Sequence, residues 1–149
     1  MSLLDYCNSL LAGATQGQIQ RLQRLQNICA RIVVRPPKMA QISPILRDLH
    51  WLPVQRRIEH KVLCSVYNCI SGAAPSYLRE LLEDYNPSRN LRSATKKLMC
   101  VPHRRLNNYG CRSFSFVGPS YWNNIPEPLR KSPKLSLFKR GLKTYLFNA

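Results

Sequence analysis

The sequence predicts a mainly α-helical protein: a bundle-like helical front half, room for one small β-hairpin after it, and then further helices. Three observations lead there. Apolar residues recur at three- and four-residue steps in several stretches, the period of one helix face. Proline and glycine fall at the edges of those stretches, where helices start and stop. Hydrophobic residues make up 44% of the 149 residues, enough for a packed core and too many for a disordered chain.

Taken in order, residues 3–12 suit a short helix that Gly13, Thr15 and Gly17 interrupt. Residues 18–35 carry the clearest helical period, with Ile19, Leu22, Leu25, Ile28, Ile32 and Val33 as the expected buried face, and Pro36-Pro37 as the stop. Ser43 as N-cap and Pro44 in the first turn open a short helix to about Trp51. Pro53 opens the next, whose stripe is Val54, Ile58, Val62, Val66 and Ile70, ending at Ser71-Gly72. Pro75 begins a helix through Tyr85, with Leu78, Leu81, Leu82 and Tyr85 as its apolar side. Leu98 to Val101 reads as a strand, and Asn107-Asn108-Tyr109-Gly110 as the turn of a hairpin. Residues around Phe114–Trp122 and 135–147 return to helix, the last with Phe138, Leu142, Tyr145 and Leu146 on one face.

Composition divides the chain at Asn86-Pro87-Ser88. Lys and Arg number 23 against 7 Asp and Glu, a net charge of +16. Residues 1–85 hold 10 basic and 6 acidic groups; residues 86–149 hold 13 basic groups and the single acid Glu127. Two regions are therefore expected, 1–85 and a basic 86–149. Clustered positive charge of this size favours a polyanion, and a phosphate backbone is the commonest one. No apolar run approaches the roughly 18 residues of a membrane span. Leu10 to Ala14 imitates the end of a signal peptide, but no basic residue precedes it and Asp5 and Asn8 interrupt it. An intracellular protein, nuclear or cytoplasmic, is expected, with Cys7, Cys29, Cys64, Cys69, Cys100 and Cys111 as reduced thiols.

Catalytic chemistry finds little support. Two-metal polymerases need paired carboxylates, and the one adjacent pair, Glu83-Asp84, reads as the solvated end of a surface helix. The glycines never fall at phosphate-loop spacing. Cys100, His103 and Cys111 offer three metal ligands without a fourth, so no metal or other cofactor is expected. His50, His60 and His103 have no local partner that marks a catalytic base.

Binding chemistry is better represented. At about 100° per residue, Arg21, Arg24, Arg31 and Arg35 form a stripe roughly 80° wide beside the expected apolar face. That stripe reads either as a rail for phosphates or as a solubilising rim. Lys96-Lys97, Arg104-Arg105 and Lys139-Arg140 with Lys143 are further basic clusters. Tyr109, Phe114, Phe116, Tyr121 and Trp122 interleave with them and could stack on bases, although Trp122 and Trp51 are expected chiefly as core anchors.

Several long segments, in order, carry a resemblance: LLDYCNSLLAG (3–13), RLQRLQNICARIV (21–33), SPILRDLHWLPVQRRIEHKV (43–62), APSYLRELL (74–82), NPSRNLRSA (86–94) and GPSYWNNIPEPLRKSPKLSLFKRGLKTYLF (118–147). Together they resemble the region that follows the catalytic core in animal LINE-type, non-LTR retrotransposon reverse transcriptases. The resemblance implies that 1–85 is a thumb-like region bracing a template–primer duplex and that 86–149 is the C-terminal extension. Its implied partners are RNA, DNA or an RNA–DNA hybrid, and the catalytic part of a reverse transcriptase. The finger and palm regions, their aromatic-Ala-Asp-Asp motif and the endonuclease do not occur in the sequence. A non-catalytic fragment is therefore expected, from a truncated element copy or a gene model built on one. The alternatives are an interaction fragment whose apolar faces packed on the missing palm, and an inert product.

Overall fold

The structure, a computed structural model, describes residues 5–37, 39–87, 96–103 and 110–148. It is mainly α. A 3-10 turn at Asn8–Leu11 leads into α1 (Gln16–Val34), α2 (Ile42–Asp48), α3 (Val54–Ile70) and α4 (Ser76–Arg79). A second 3-10 turn at Gly110–Arg112 precedes α5 (Phe114–Asn124), α6 (Glu127–Arg130) and α7 (Leu135–Asn148).

α3 is the hub. It packs most extensively against α5 and α7, then against the first 3-10 turn and α1. The predicted stripe Val54, Ile58, Val62 and Val66 is buried, and so are Leu63, Cys64, Tyr67 and Cys69, because neighbours cover the helix on several sides. Ile70, at its end, is partly exposed. Tyr67 stacks on Phe138 of α7 with ring centroids 4.6 Å apart, and Trp122 of α5 meets Phe138 at 5.8 Å. Burying a ring such as Phe138 contributes about 1.5–3 kcal/mol. Gly118 lets α5 come this close: a Cβ there would lie 3.0 Å from Val66 Cγ2. Residues on both sides of Asn86 share the larger buried cluster, so the back half completes the bundle, while a smaller cluster of Ala30, Ile45 and Leu46 joins α1 to α2.

α1 starts earlier than expected. Thr15 caps it, Gln18 N–H donating to Thr15 Oγ1 and Thr15 N–H donating back to Gln18 Oε1. Gly17 therefore lies inside the helix. Arg35, in the left-handed region at φ 50°, closes it before Pro36. The face of α1 is the larger correction. Ile19, Gln26 and Ala30 are buried, while Leu25, Ile28, Ile32 and Val33 are exposed. On the helical wheel the buried face is turned by about a quarter turn from the expected one. Two glutamines explain the turn. Gln26 Nε2 donates to the Leu52 carbonyl at 2.8 Å, and Gln23 Oε1 accepts the Val54 N–H at 2.8 Å, satisfying an open amide at the start of α3.

Three boundaries also differ. α2 is capped at Gln41, so Ser43 falls inside its first turn, and it ends at Asp48. α4 stops at Arg79, where the predicted helix continued to Tyr85. There Arg79 donates to the Leu82 carbonyl and pairs with Asp84, and Leu82 turns into the core. Residues 83–85 then run antiparallel to 98–100: Tyr85 N–H donates to the Leu98 carbonyl at 3.1 Å and Cys100 N–H to that of Glu83 at 2.9 Å. Leu98 to Val101 thus pairs backwards, with the segment after α4, and Glu83-Asp84 is extended chain. The expected hairpin turn at 107–109 lies outside the described residues.

Residues 96–99 form a strap over the core. Trp122 Nε1 donates to the Lys97 carbonyl at 2.8 Å, and Asn123 exchanges two hydrogen bonds with the Met99 backbone at 2.9 Å each. Buried Arg130 donates to the carbonyls of Lys96, Trp122, Asn123 and Ile125. No helix among the described residues is long and apolar enough to cross a membrane.

Candidate nucleic-acid interface

The predicted basic residues do not form one surface. Arg21, Arg24 and Arg35 are exposed on α1, but opposite its buried face and interspersed with the exposed side chains of Leu25, Ile28 and Ile32. Arg31 is half-buried and donates to the Ala40 carbonyl at 2.9 Å, so it serves the α1–α2 loop. The rail is therefore three arginines on a partly apolar face. Lys96 and Lys97 are exposed on the strap, their carbonyls engaged by Arg130 and Trp122. Arg104 and Arg105 lie outside the described residues, as does Tyr109. Trp122 is core, and Phe114, Phe116 and Tyr121 are half-buried against it.

Lys139 and Lys143 are the pair that the fold brings into a site. One turn apart on α7, they face α3 across a cleft of about 500 Å³, with Arg57, His60 and Lys61 on the opposite wall. Arg57 is partly committed: it donates to the Leu52 carbonyl at 3.1 Å and pairs with Asp5 at 2.7 Å. Lys61, Lys139 and Lys143 have no carboxylate partner among the described residues. The floor holds Asn8 and Asn68, whose Oδ1 atoms are buried without a hydrogen-bond partner among those residues. Arg140, next to Lys139, is exposed outside the cleft.

His60 reports the field in this cleft. Burial lowers its pKa below the ordinary value; the ammonium groups of Lys139, Lys143 and Lys61 lower it further, against the upward pull of the Lys139 backbone. Cys64 Sγ lies 3.8 Å from His60 Nδ1, which invites a nucleophile–base reading. Desolvation argues against it: burial raises the thiol and lowers the imidazole, so both stay neutral near pH 7. Among the described residues no three His, Cys, Asp or Glu side chains are grouped to hold a metal.

Sequence reasoning missed Arg57 and Lys61, and weighed His60 only as a catalytic base. The signal was present: Arg57, Lys61, Cys64 and Asn68 recur at helical steps as the polar side of α3. What could not be read was that this side would face Lys139 and Lys143.

Two further hollows continue the cleft along α7. The first, about 480 Å³, shares His50 with the cleft and adds Arg47 and Phe147. The second, about 210 Å³, shares Arg47 and Phe147 and adds Trp51 and Arg56. Searched against known proteins, the chain matches no family model, no curated protein and no solved structure.

Proposed function

We propose that the chain is a non-catalytic C-terminal piece of a LINE-type reverse transcriptase, and that it binds RNA, DNA or their hybrid without sequence preference. The motif resemblance supports the family. The observation that carries the binding is the convergence of Lys61, Lys139 and Lys143 on one concave cleft, in a chain of net charge +16. Unpaired ammonium groups gathered this way attract phosphate and release its counterions. Catalysis is not proposed, because the aromatic-Ala-Asp-Asp motif that would hold the metals does not occur in the sequence.

A salt titration with RNA and DNA of scrambled sequence tests this reading. Dissociation constants on the order of 10⁻⁴–10⁻⁶ M near physiological salt are expected, equal across sequences and weakening steeply with added salt. Replacing Arg21, Arg24 and Arg35 together with Gln should leave the log–log slope unchanged. Absent binding at low salt, or an affinity indifferent to salt, would sink the proposal.

The exposed stripe on α1 favours a second reading for that face. Leu25, Ile28 and Ile32 fit an apolar partner surface, such as the catalytic part of the enzyme, better than a phosphate backbone.

A further inference from the structure

The three hollows along α7 differ in chemistry from end to end. The cleft at the Lys139 end is cationic, with Lys61, Lys139 and Lys143 unpaired by carboxylates among the described residues. The Phe147 end carries two half-buried aromatic rings, Phe147 and Trp51, with Arg47 beside them. Lys143 joins the two, its Nζ 6.0 Å from the centroid of the Phe147 ring. From Lys139 to Phe147 the helix rises by about 12 Å. The acids nearby are Asp5, already held by Arg57, Asp48 on the rim of the middle hollow, and Glu59, held by Arg56.

Phosphate-binding ammonium groups leading into aromatic rings make an arrangement that a duplex cannot use fully. In a duplex the bases are stacked on one another and their faces are closed to side chains. An unpaired strand offers both parts, a charged backbone for the lysines and open base faces for the rings. We propose that this groove is a track for a short single-stranded segment, with backbone phosphate at Lys61, Lys139 and Lys143 and a base against Phe147 or Trp51. The inference rests on the nucleic-acid reading above and adds to it a preference for unpaired strand and a seat on α7. Sequence tolerance follows, since every base has a face to stack.

The test uses the full chain, a short fluorescent oligouridylate and a blunt RNA duplex of the same length. The single strand should bind tighter by roughly tenfold or more, the factor that one base stacked on an aromatic ring supplies. Lys139→Gln with Lys143→Gln, two exposed changes that leave the core alone, should flatten the single-strand salt slope by about 1.4, two contacts at about 0.7 each. Phe147→Leu keeps an apolar side chain in place; it should reduce the preference for single strand and leave the slope as it was. If duplex and single strand bind alike and the lysine variant keeps the full slope, the track is overturned while the proposed function stands. A preference that survives both variants also overturns it. If neither nucleic acid binds, both readings fall.

Discussion

Arg130 shows how far a residue's role can depart from its composition class. Counted with the basic tail, it is buried, and its guanidinium gathers carbonyls from three directions: Lys96 on the strap at 2.9 Å, Asn123 at 3.1 Å at the end of α5, and Ile125 beyond it. Only a planar fork of several donors fits that arrangement. Arg130→Met should leave these carbonyls without a donor and cost on the order of 3 kcal/mol. For a chain of this length that corresponds to roughly 6–12 °C in the thermal midpoint. Arg130→Lys should recover less than half of it, and a wild-type melt for the Met variant would show the clamp to be dispensable. His60 yields a second prediction. Its imidazole is held below the ordinary 6.5 by burial, so as pH falls the unfolded chain takes up the proton first. Stability from keeping it neutral is full above about 6.5 and declines as pH falls from there towards the lower folded value. Melts taken on either side of 6.5 should show that decline, and His60→Gln should remove it; an unchanged pH dependence in the variant would discard the assignment.

Among the elements, legibility followed how much of each helix's burial is apolar. α3 and α7 were readable because their buried positions are aliphatic or aromatic: Ile58, Val62 and Val66 in one, Phe138, Leu142 and Leu146 in the other. α1 was legible as a helix and wrong as a face. Its buried side is made by Ile19, Gln26 and Ala30, two of which carry no hydrophobic signal of note, and the decisive contacts are glutamine hydrogen bonds to residues 26 and 31 positions away. Periodicity assigns such glutamines to solvent, and the larger aliphatic residues then take their place on paper. The exposed stripe has its own expectation. If Leu25, Ile28 and Ile32 face a partner, replacing all three with Gln should leave the thermal midpoint nearly unchanged, because surface changes usually stay within about 0.5 kcal/mol each. Self-association, measured by light scattering, should fall. Loss of the fold would instead place the stripe in the core. α4 was overextended for a related reason: Leu81 and Tyr85 fit a helical period, but the pairing of 83–85 with 98–100 is a long-range contact that no local pattern announces.

For the molecule as a whole, charge and core are arranged on different plans. Positive charge accumulates after residue 86, yet the core is built around α3 from the first half, with α5 and α7 laid on it. The consequence for the candidate site is direct. Lys139 and Lys143 were legible as a basic cluster, while the cleft needs Lys61 and Arg57 from 78 residues upstream or more, and so exists only in the folded chain. The mainly helical class was readable throughout, because helical periods are local. The cleft proposed for binding was not, because it is a product of packing between helices far apart in sequence.

That separation has a meaning in time. Tyr67 closes on Ser132, a span of 65 residues, and stacks on Phe138, made later still. At about 5–20 residues per second, translation reaches α7 several seconds after it has finished α3. For that interval the hub helix is complete but lacks its α5 and α7 cover, with Val66 and Tyr67, which meet Gly118 and Phe138 in the finished fold, available to whatever binds nascent chains. A message cut short before Phe138 would leave the interval without an end, and would turn the hub of the fold into a lasting target for chaperones and proteases.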